Sequence, residues 1–324
     1  MTERRRDPTT GEWVTFATDR QDRTFLPPAD LCPLCPTRDP SRPTEIPETS
    51  YDIAVFDNRW PALRARPPEP DLVGDALFAV EPAAGAAEVV VFTSQHASTL
   101  ADLPVTRLAH LVDVWAHRYE ELGARPEVGY VFEFENKGEA IGVTLSHPHG
   151  QVYGYPDVPP RVATEMASAR AHLARTGTCV WCDVVTTEEA DGARLVVQGA
   201  AFSAYVPFAA RYPYEVHVSA RRHARSLLDL DAGDRRDLAQ VLHQVLRAYD
   251  GLYGFSLPYI LSVHQRPTDG GDWDAISHLH VELTPLHRTA TKLKYLAGSE
   301  TGAGAFVADV RPEQAAQRLR QLAG

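Results

Sequence analysis

The same order of motifs occurs twice along this chain of 324 residues. Each copy has a C-x-x-C pair, a lone histidine, a long amphipathic segment, a β-type run and an H-x-H pair. The C-x-x-C pairs are Cys32–Cys35 and Cys179–Cys182, the lone histidines are His96 and His223, and the H-x-H pairs are His147–His149 and His278–His280. Because two copies are too few for a repeat array, this order predicts a duplication into two similar halves.

The pattern within each half predicts an α+β fold. Apolar residues recur at helical spacing in segments 108–119 and 238–249, and β-branched and aromatic runs follow at 130–134 and 258–263. We therefore expect an antiparallel sheet in each half, with a long helix crossing it. The predicted boundary divides the chain into residues 1–157 and 158–324.

The segment HPHGQ at residues 147–151 places two imidazoles on one face of a predicted strand. Pro148 keeps the backbone extended, and Gly150 allows a ligand or another backbone to approach closely. His147, His149 and the amide of Gln151 would suit a metal ligand, a nucleophile and a hydrogen-bond donor. Taken alone, an H-x-H pair could equally be two core histidines with satisfied hydrogen bonds.

The cysteine pairs give this segment a chemical context. Thiolate and imidazole together favour zinc, and four protein ligands make a closed, structural site. The two predicted sets are Cys32, Cys35, His96 and His147, and Cys179, Cys182, His223 and His278. Buried reduced cysteines are the alternative, as is a redox pair, which would need a strand–helix junction. If His147 binds a metal, His149 is held beside it and is free for chemistry.

Composition excludes some classes of function. The net charge of −11 disfavours broad attraction to nucleic acid or to an anionic membrane. The first residues carry arginines but lack the apolar segment of a signal peptide, and no later run reaches membrane-spanning length. From these features we expect a cytoplasmic protein.

HPHGQ, with Asn136-Lys137-Gly138 upstream, resembles the signature of the galactose-1-phosphate uridylyltransferases, the transferase branch of the histidine-triad superfamily. The likeness extends to RRDPTTGEW at residues 5–13, VFDN at 55–58 and PEQAA at 312–316. The resemblance implies duplicated histidine-triad-like halves, a homodimer, and a ping-pong exchange of UMP between UDP-glucose and galactose 1-phosphate. His149 would carry the uridylyl group, and Gln151 stands where hydrolytic relatives carry a third histidine.

The same resemblance assigns substrate contacts. Asn58 and the backbone near Leu34 would hold the uridine, whereas Asn136, Gly142 and Thr144 would contact the phosphates. Arg20 and Arg23 would approach the nucleotide from the partner subunit. The implied hexose contacts, also across the dimer interface, are Lys294, Tyr295 and Glu300.

Two questions stay open at the level of sequence. Family members without the second C-x-x-C build an iron or zinc site whose counterparts here are Glu165, His264, His278 and His280. Because both sets need His278, they cannot both be complete, and the cysteine set is favoured. The alternative functions are a nucleotide-sugar phosphorylase of the ADP-glucose type, a hydrolase disfavoured by Gln151, and a zinc nucleotide-binding protein without catalysis.

Overall fold

The computed structural model describes residues 2–22 and 25–323. The strands are β1 (Thr2–Arg6), β2 (Trp13–Ala17), β3 (Ala54–Asp57), β4 (Val80–Pro82), β5 (Ala86–Val91), β6 (Tyr130–Lys137), β7 (His149–Tyr155), β8 (Leu195–Gln198), β9 (Phe202–Tyr205), β10 (Val216–Ala220), β11 (Tyr259–His264) and β12 (His280–Pro285). The α-helices are α1 (Val105–Gly123), α2 (Pro160–Thr176), α3 (Val180–Asp191), α4 (Ala232–Tyr253), α5 (Gly298–Ala303) and α6 (Pro312–Ala323).

Nine of the described strands form one antiparallel sheet, in the order β3-β5-β7-β6-β11-β12-β10-β9-β8. The two predicted halves meet where β6 pairs with β11, with Phe134 opposite Ser262. The α+β fold with antiparallel strands is confirmed, but the halves share one sheet because their inner strands pair edge to edge. The predicted boundary after residue 157 falls between β7 and α2 and stays a prediction. A second antiparallel sheet has the order β2-β1-β4.

Helices α1 and α4 pack against each other on one face of the large sheet. Their apolar stripes are buried, as the spacing predicts, and each fully buried leucine contributes about 1.5–3 kcal/mol. Asp231 caps the N-terminus of helix α4, because its carboxylate accepts hydrogen bonds from the backbone N–H groups of Gly233 and Asp234. None of the described helices combines the length and the apolar character needed to cross a membrane.

The alternation of side chains along β7 and β12 sets which residues face away from these helices. Val152 of β7 and Val281 of β12 point into the core beneath α1 and α4. Their neighbours along each strand point to the opposite face, because side chains alternate along a strand. This second face carries His149 and Gln151 in the first half, and His280 and Glu282 in the second.

Candidate active site

His149 is the first residue of β7, and the backbone of its own H-x-H pair holds its imidazole. Its Nδ1 lies 2.7 Å from the carbonyl oxygen of His147, so Nδ1–H donates and Nε2 carries the free lone pair. Burial lowers the pKa of His149 below its ordinary value, so the ring is neutral near pH 7. A neutral imidazole with a fixed tautomer is a competent nucleophile at Nε2.

Gln151 lies two residues further along β7 and faces the same side of the sheet. Its Oε1 accepts hydrogen bonds from Asn58 Nδ2 at 3.3 Å and from the Tyr153 hydroxyl at 3.2 Å. Arg20 Nη1 donates to that hydroxyl at 2.9 Å. Because Oε1 already accepts two hydrogen bonds, the amide is oriented with Nε2 left as a donor for a ligand beside His149.

A pocket of about 350 Å³ opens over His149 and Gln151. Its lining consists of Pro33, Leu34, Glu45, Phe56, Asn58, Arg59, Trp60, Val89, Thr144, Leu145, His149 and Gln151. Phe56 on β3, Val89 on β5 and Gln151 on β7 stand side by side in the sheet register. The pocket therefore runs from polar groups at β7 to an apolar region at the edge strand, a shape that suits a phosphorylated ligand with a flat ring.

Three of the substrate contacts predicted from the sequence, Leu34, Asn58 and Thr144, line this pocket together with His149. Asn136 and Gly142 are not among the described residues that line it. Asn136 lies on β6, on the same face as Phe134, which pairs with Gln151. Gly142 follows a short 3₁₀ helix with a φ of 83°, a conformation that favours glycine.

Of the two arginines predicted to approach the nucleotide, Arg20 lies close to the pocket at His149. Arg20 reaches Tyr153 of its own chain and so adjoins its own site through the hydrogen bonds to Gln151. A partner subunit is therefore not needed to bring Arg20 near this pocket. Arg23 lies outside the described residues.

The predicted hexose contacts are gathered elsewhere in the chain. Lys294 is buried, and its Nζ donates to Glu300 Oε1 at 3.0 Å and to the Val307 carbonyl at 2.6 Å. Tyr295 is exposed, and none of the three predicted residues is among those described as lining the pocket at His149. Their contact with a hexose across a dimer interface stays a prediction.

The first predicted metal set is assembled. The ligand atoms of Cys32, Cys35, His96 and His147 all lie within 4.8 Å of one another, and the cysteines are free thiols. Cys35 Sγ lies 3.5 Å from Nδ1 of His96 and 3.5 Å from Nδ1 of His147. Nε2 of His147 donates to the Thr93 carbonyl at 2.7 Å, which leaves Nδ1 available for a metal. Burial raises the pKa of the Cys32 thiol to about 11, so its thiolate needs a bound cation.

The second set repeats this geometry. Cys179, Cys182, His223 and His278 meet the same limit of 4.8 Å. Nδ1 of His278 lies 3.7 Å from each cysteine Sγ, while its Nε2 donates to the Ala220 carbonyl at 2.8 Å. Because His278 faces the cysteines, the alternative four-residue carboxylate set is not assembled. Its other members, Glu165, His264 and His280, form a separate group of three.

Other side chains fill the space around His280. The Trp181 ring stacks on the His280 imidazole with 3.8 Å between centroids. Arg161 donates to Glu165 at 2.7 Å and to both oxygens of Glu282, at 2.8 and 3.0 Å. His280 is only 1% exposed, so the counterpart of His149 in the second half does not face an open pocket.

Sequence reasoning missed Tyr153, Trp181 and Arg161. The two-residue period of a strand could have indicated Tyr153, because it follows Gln151 by two positions. Trp181 occupies the place in the second C-x-x-C that Leu34 occupies in the first, so alignment of the copies could have indicated it. Arg161 has no signal in the sequence, since it reads as a surface charge near the start of a helix.

Comparison with known proteins agrees with this geometry. Residues 1–159 match the family model described as galactose-1-phosphate uridyl transferase, N-terminal domain, and residues 165–324 match the corresponding C-terminal domain. The chain is 37% identical over 321 residues to the galactose-1-phosphate uridylyltransferase of Thermotoga maritima, covering 99% of this chain and 98% of that relative.

Two solved structures are informative. One described as uridylyltransferase has a TM-score of 0.86 and 35% identity, covering 99% of this chain and 98% of its own. An ADP-glucose phosphorylase from Arabidopsis thaliana has a TM-score of 0.74 and 22% identity, covering 99% of each chain. At that lower identity, the likeness to the phosphorylase concerns the fold alone.

Proposed function

The chain belongs to the galactose-1-phosphate uridyl transferase family, and we propose that it exchanges UMP between UDP-glucose and galactose 1-phosphate through His149. The observation that carries this proposal is the free Nε2 of a neutral His149 imidazole beside an oriented amide donor, at the polar end of one pocket. Gln151 can donate a hydrogen bond but cannot act as an acid or base, which suits transfer over hydrolysis.

The reaction has two displacements at phosphorus. In the first, Nε2 of His149 attacks the α-phosphorus of UDP-glucose, the bond to the glucose 1-phosphate oxygen breaks, and glucose 1-phosphate leaves. The positive charge on the substituted ring is stabilised through Nδ1–H by the His147 carbonyl. In the second, a phosphate oxygen of galactose 1-phosphate attacks the same phosphorus, the N–P bond breaks, and UDP-galactose forms.

In the proposed orientation, the uracil ring of the nucleotide lies at the apolar end of the pocket and the phosphates lie at the polar end. The apolar side chains of Leu34, Phe56 and Val89 would pack on the uracil ring, while the α-phosphate lies at His149. Asn58 and Thr144 would donate hydrogen bonds to the nucleotide. Gly142 and Asn136 would contact the phosphates. Arg20, which donates a hydrogen bond to the Tyr153 hydroxyl, would add positive charge near the nucleotide.

We also propose a cytoplasmic homodimer in which residues 158–324 supply the hexose contacts of the partner's site. The support is that Lys294 and Glu300 are paired and positioned in this chain, apart from the pocket at His149. The neighbouring Tyr295, Leu296 and Val307 are exposed apolar side chains that a dimer interface would cover. Arg23 is assigned to the nucleotide by the same family resemblance.

Zinc is the metal that the two cysteine–histidine sets fit. Two thiolates and two imidazoles within reach of one ion match its preferred tetrahedral ligation. With four protein ligands each set is closed, so the metal would supply structural stability. In the first half the metal would fix His147 and hence the backbone that carries His149. Residues 1–157 would therefore contain both the nucleophile and the metal that positions it.

An isotope-exchange assay tests the proposal. A ping-pong enzyme exchanges labelled glucose 1-phosphate into UDP-glucose when galactose 1-phosphate is absent, because the first displacement is complete in itself. We expect this exchange, and parallel lines in initial-rate plots with both substrates. No exchange without the second sugar would contradict the mechanism, and release of ADP from ADP-glucose on adding inorganic phosphate would favour the phosphorylase alternative.

A further inference from the structure

A second cavity, of about 330 Å³, lies beside the nucleotide pocket. Its lining consists of Asp57, Asn58, Arg59, Pro61, Leu63, Arg64, Ala65, Arg66, Gly85, Ala86, Ala87 and Arg125. Four of these residues are arginines, and Asp57 is the one carboxylate among the described residues that line it. The mechanism proposed for His149 uses none of these arginines.

Two of these four guanidinium groups lie near carboxylates. Arg59 Nη1 lies 3.1 Å from Glu45 Oε1, and Arg64 Nη2 lies 3.9 Å from Asp19. Nε of Arg64 is buried and has no hydrogen-bond partner. Within residues 2–22 and 25–323, the side chains of Arg66 and Arg125 make no ion pair or hydrogen bond that could offset their charge.

The backbone holds two of the arginines in place. Arg64 N donates to the Ala83 carbonyl at 3.0 Å, and its own carbonyl accepts from Gly85 N at 3.0 Å. Arg125 lies two residues after the end of α1, and its backbone N–H donates to the Leu122 carbonyl at 3.1 Å. Arginines from two separate, hydrogen-bonded parts of the fold thus line one cavity.

Positive charges that line one cavity repel one another, and a bound anion would offset this repulsion. The chain as a whole has a net charge of −11, so this local excess of positive charge runs against its overall composition. Arginine presents several N–H donors in a planar fork, which matches the oxygens of a phosphate. The cavity falls within the usual range for ligand pockets, about 300–1,000 Å³, so it has room for a phosphomonoester.

We propose that this arginine cavity, defined by Arg59, Arg64, Arg66 and Arg125, is a second anion site that binds a phosphomonoester or inorganic phosphate. It is distinct from the pocket at His149, although Asn58 and Arg59 line both. The inference goes beyond the proposed uridylyl transfer and does not depend on it. A phosphomonoester and inorganic phosphate both present the group that the arginines would bind, a phosphate with a double negative charge.

Calorimetric titration of the full chain with inorganic phosphate, glucose 1-phosphate and uncharged glucose tests the proposal. The variant R66Q/R125Q removes two arginines that do not line the pocket at His149. Its matched control, R236Q/R247Q, makes the same charge change at two exposed arginines on α4. We expect the wild-type chain and the control to bind the phosphates alike, and R66Q/R125Q to bind at least about tenfold more weakly.

The outcomes separate the two sources of phosphate. Binding at the pocket of His149 is retained in R66Q/R125Q, so only the affinity that this variant loses is assigned to the arginine cavity. A larger loss for glucose 1-phosphate identifies a sugar phosphate as the ligand, and an equal or larger loss for inorganic phosphate identifies the free anion. Unchanged phosphate affinity in R66Q/R125Q, or equal affinity for glucose and glucose 1-phosphate, would overturn the proposal. Because no turnover is measured, failure of the isotope exchange at His149 would leave this result intact.

Discussion

The two halves hold their histidine pairs in the same way but differ in what lies over them. Nδ1 of His149 and Nδ1 of His280 each bond the carbonyl two residues back, at 2.7 and 2.9 Å. Over His149, Leu34 lines an open pocket, whereas over His280 the corresponding Trp181 stacks on the ring. The duplicated backbone therefore supplies one scaffold twice, with an open pocket beside Leu34 in one half and the stacked Trp181 ring in the other.

A second difference reinforces the first. Gln151 in the first half is neutral, and its amide is oriented toward the pocket by Asn58 and Tyr153. Its counterpart Glu282 is buried and paired with Arg161. An amide donor would fit a phosphate, whereas the buried Glu282 carboxylate already accepts hydrogen bonds from Arg161. The comparison teaches that duplication of an H-x-H pair beside a cysteine–histidine group does not duplicate an open pocket.

The largest expected effect concerns the metal sets. Cys35→Ser and Cys182→Ser should each remove about one equivalent of metal, and lower the free energy of unfolding by at least about 3 kcal/mol. Activity should fall steeply in Cys35→Ser alone, because only that set contains the neighbour of the nucleophile. Metal analysis, denaturant unfolding and the exchange assay measure the three effects.

Glu165→Gln is the matched control for the second set. It should leave the metal content unchanged if the cysteines hold the ion. Loss of metal in Glu165→Gln, together with full metal content in Cys182→Ser, would assign the ion to the carboxylate group.

Exchange of the residue over each histidine tests the comparison directly. Leu34→Trp should fill the pocket and lower kcat/KM for UDP-glucose about 100-fold, equivalent to about 3 kcal/mol. Trp181→Leu should keep the exchange activity within about twofold, while the cavity it leaves lowers stability by about 2–4 kcal/mol. Steady-state kinetics and denaturant unfolding give both values, and an active Leu34→Trp variant would break the comparison.

The sequence allowed the two cysteine–histidine groups to be predicted, because two C-x-x-C pairs in register with two H-x-H pairs have few other uses. The role of His149 as the nucleophile stays a prediction. The sequence did not indicate that β6 and β11 pair across the halves, since pairing of distant strands depends on the whole sheet. The closure over His280 was also missed. Trp181 and Arg161 resemble a core aromatic and a surface charge until the fold brings them to Glu282 and His280.

A buried carboxylate marks another difference between the halves. Glu133 pairs with Val152 and occupies the sheet position that Leu261 occupies in the second half. Burial raises the pKa of Glu133 from 4.5 to about 8. Between those values the folded state binds a proton that the unfolded state has released, so stability falls by about 1.4 kcal/mol per pH unit as pH rises.

Glu133→Gln should remove this dependence. Relative to the wild-type chain, the variant should gain about 2 kcal/mol in free energy of unfolding between pH 5.5 and pH 7. Urea unfolding at the two pH values measures the difference. An equal difference between variant and wild type at both pH values would show that Glu133 is ionised in the folded state.

Tyr153 gives the smallest expected effect. Tyr153→Phe removes one of the two donors that orient Gln151, and should lower kcat by fivefold to tenfold, about 1 kcal/mol, with little change in KM. In a Gln151→Ala background the same substitution should have no further effect. Thr284→Val, at the matching position of β12, should leave kcat unchanged. Additive losses in the double variant would contradict the positioning role.

Trapping the covalent intermediate tests most directly whether His149 carries the uridylyl group. The protein is incubated with UDP-glucose labelled in the α-phosphate, and acid-labile label on the chain is counted in His149→Ala and His280→Gln. We expect label on the wild-type chain and on His280→Gln, and none on His149→Ala. Label retained by His149→Ala would show that the open pocket of the first half does not hold the nucleophile.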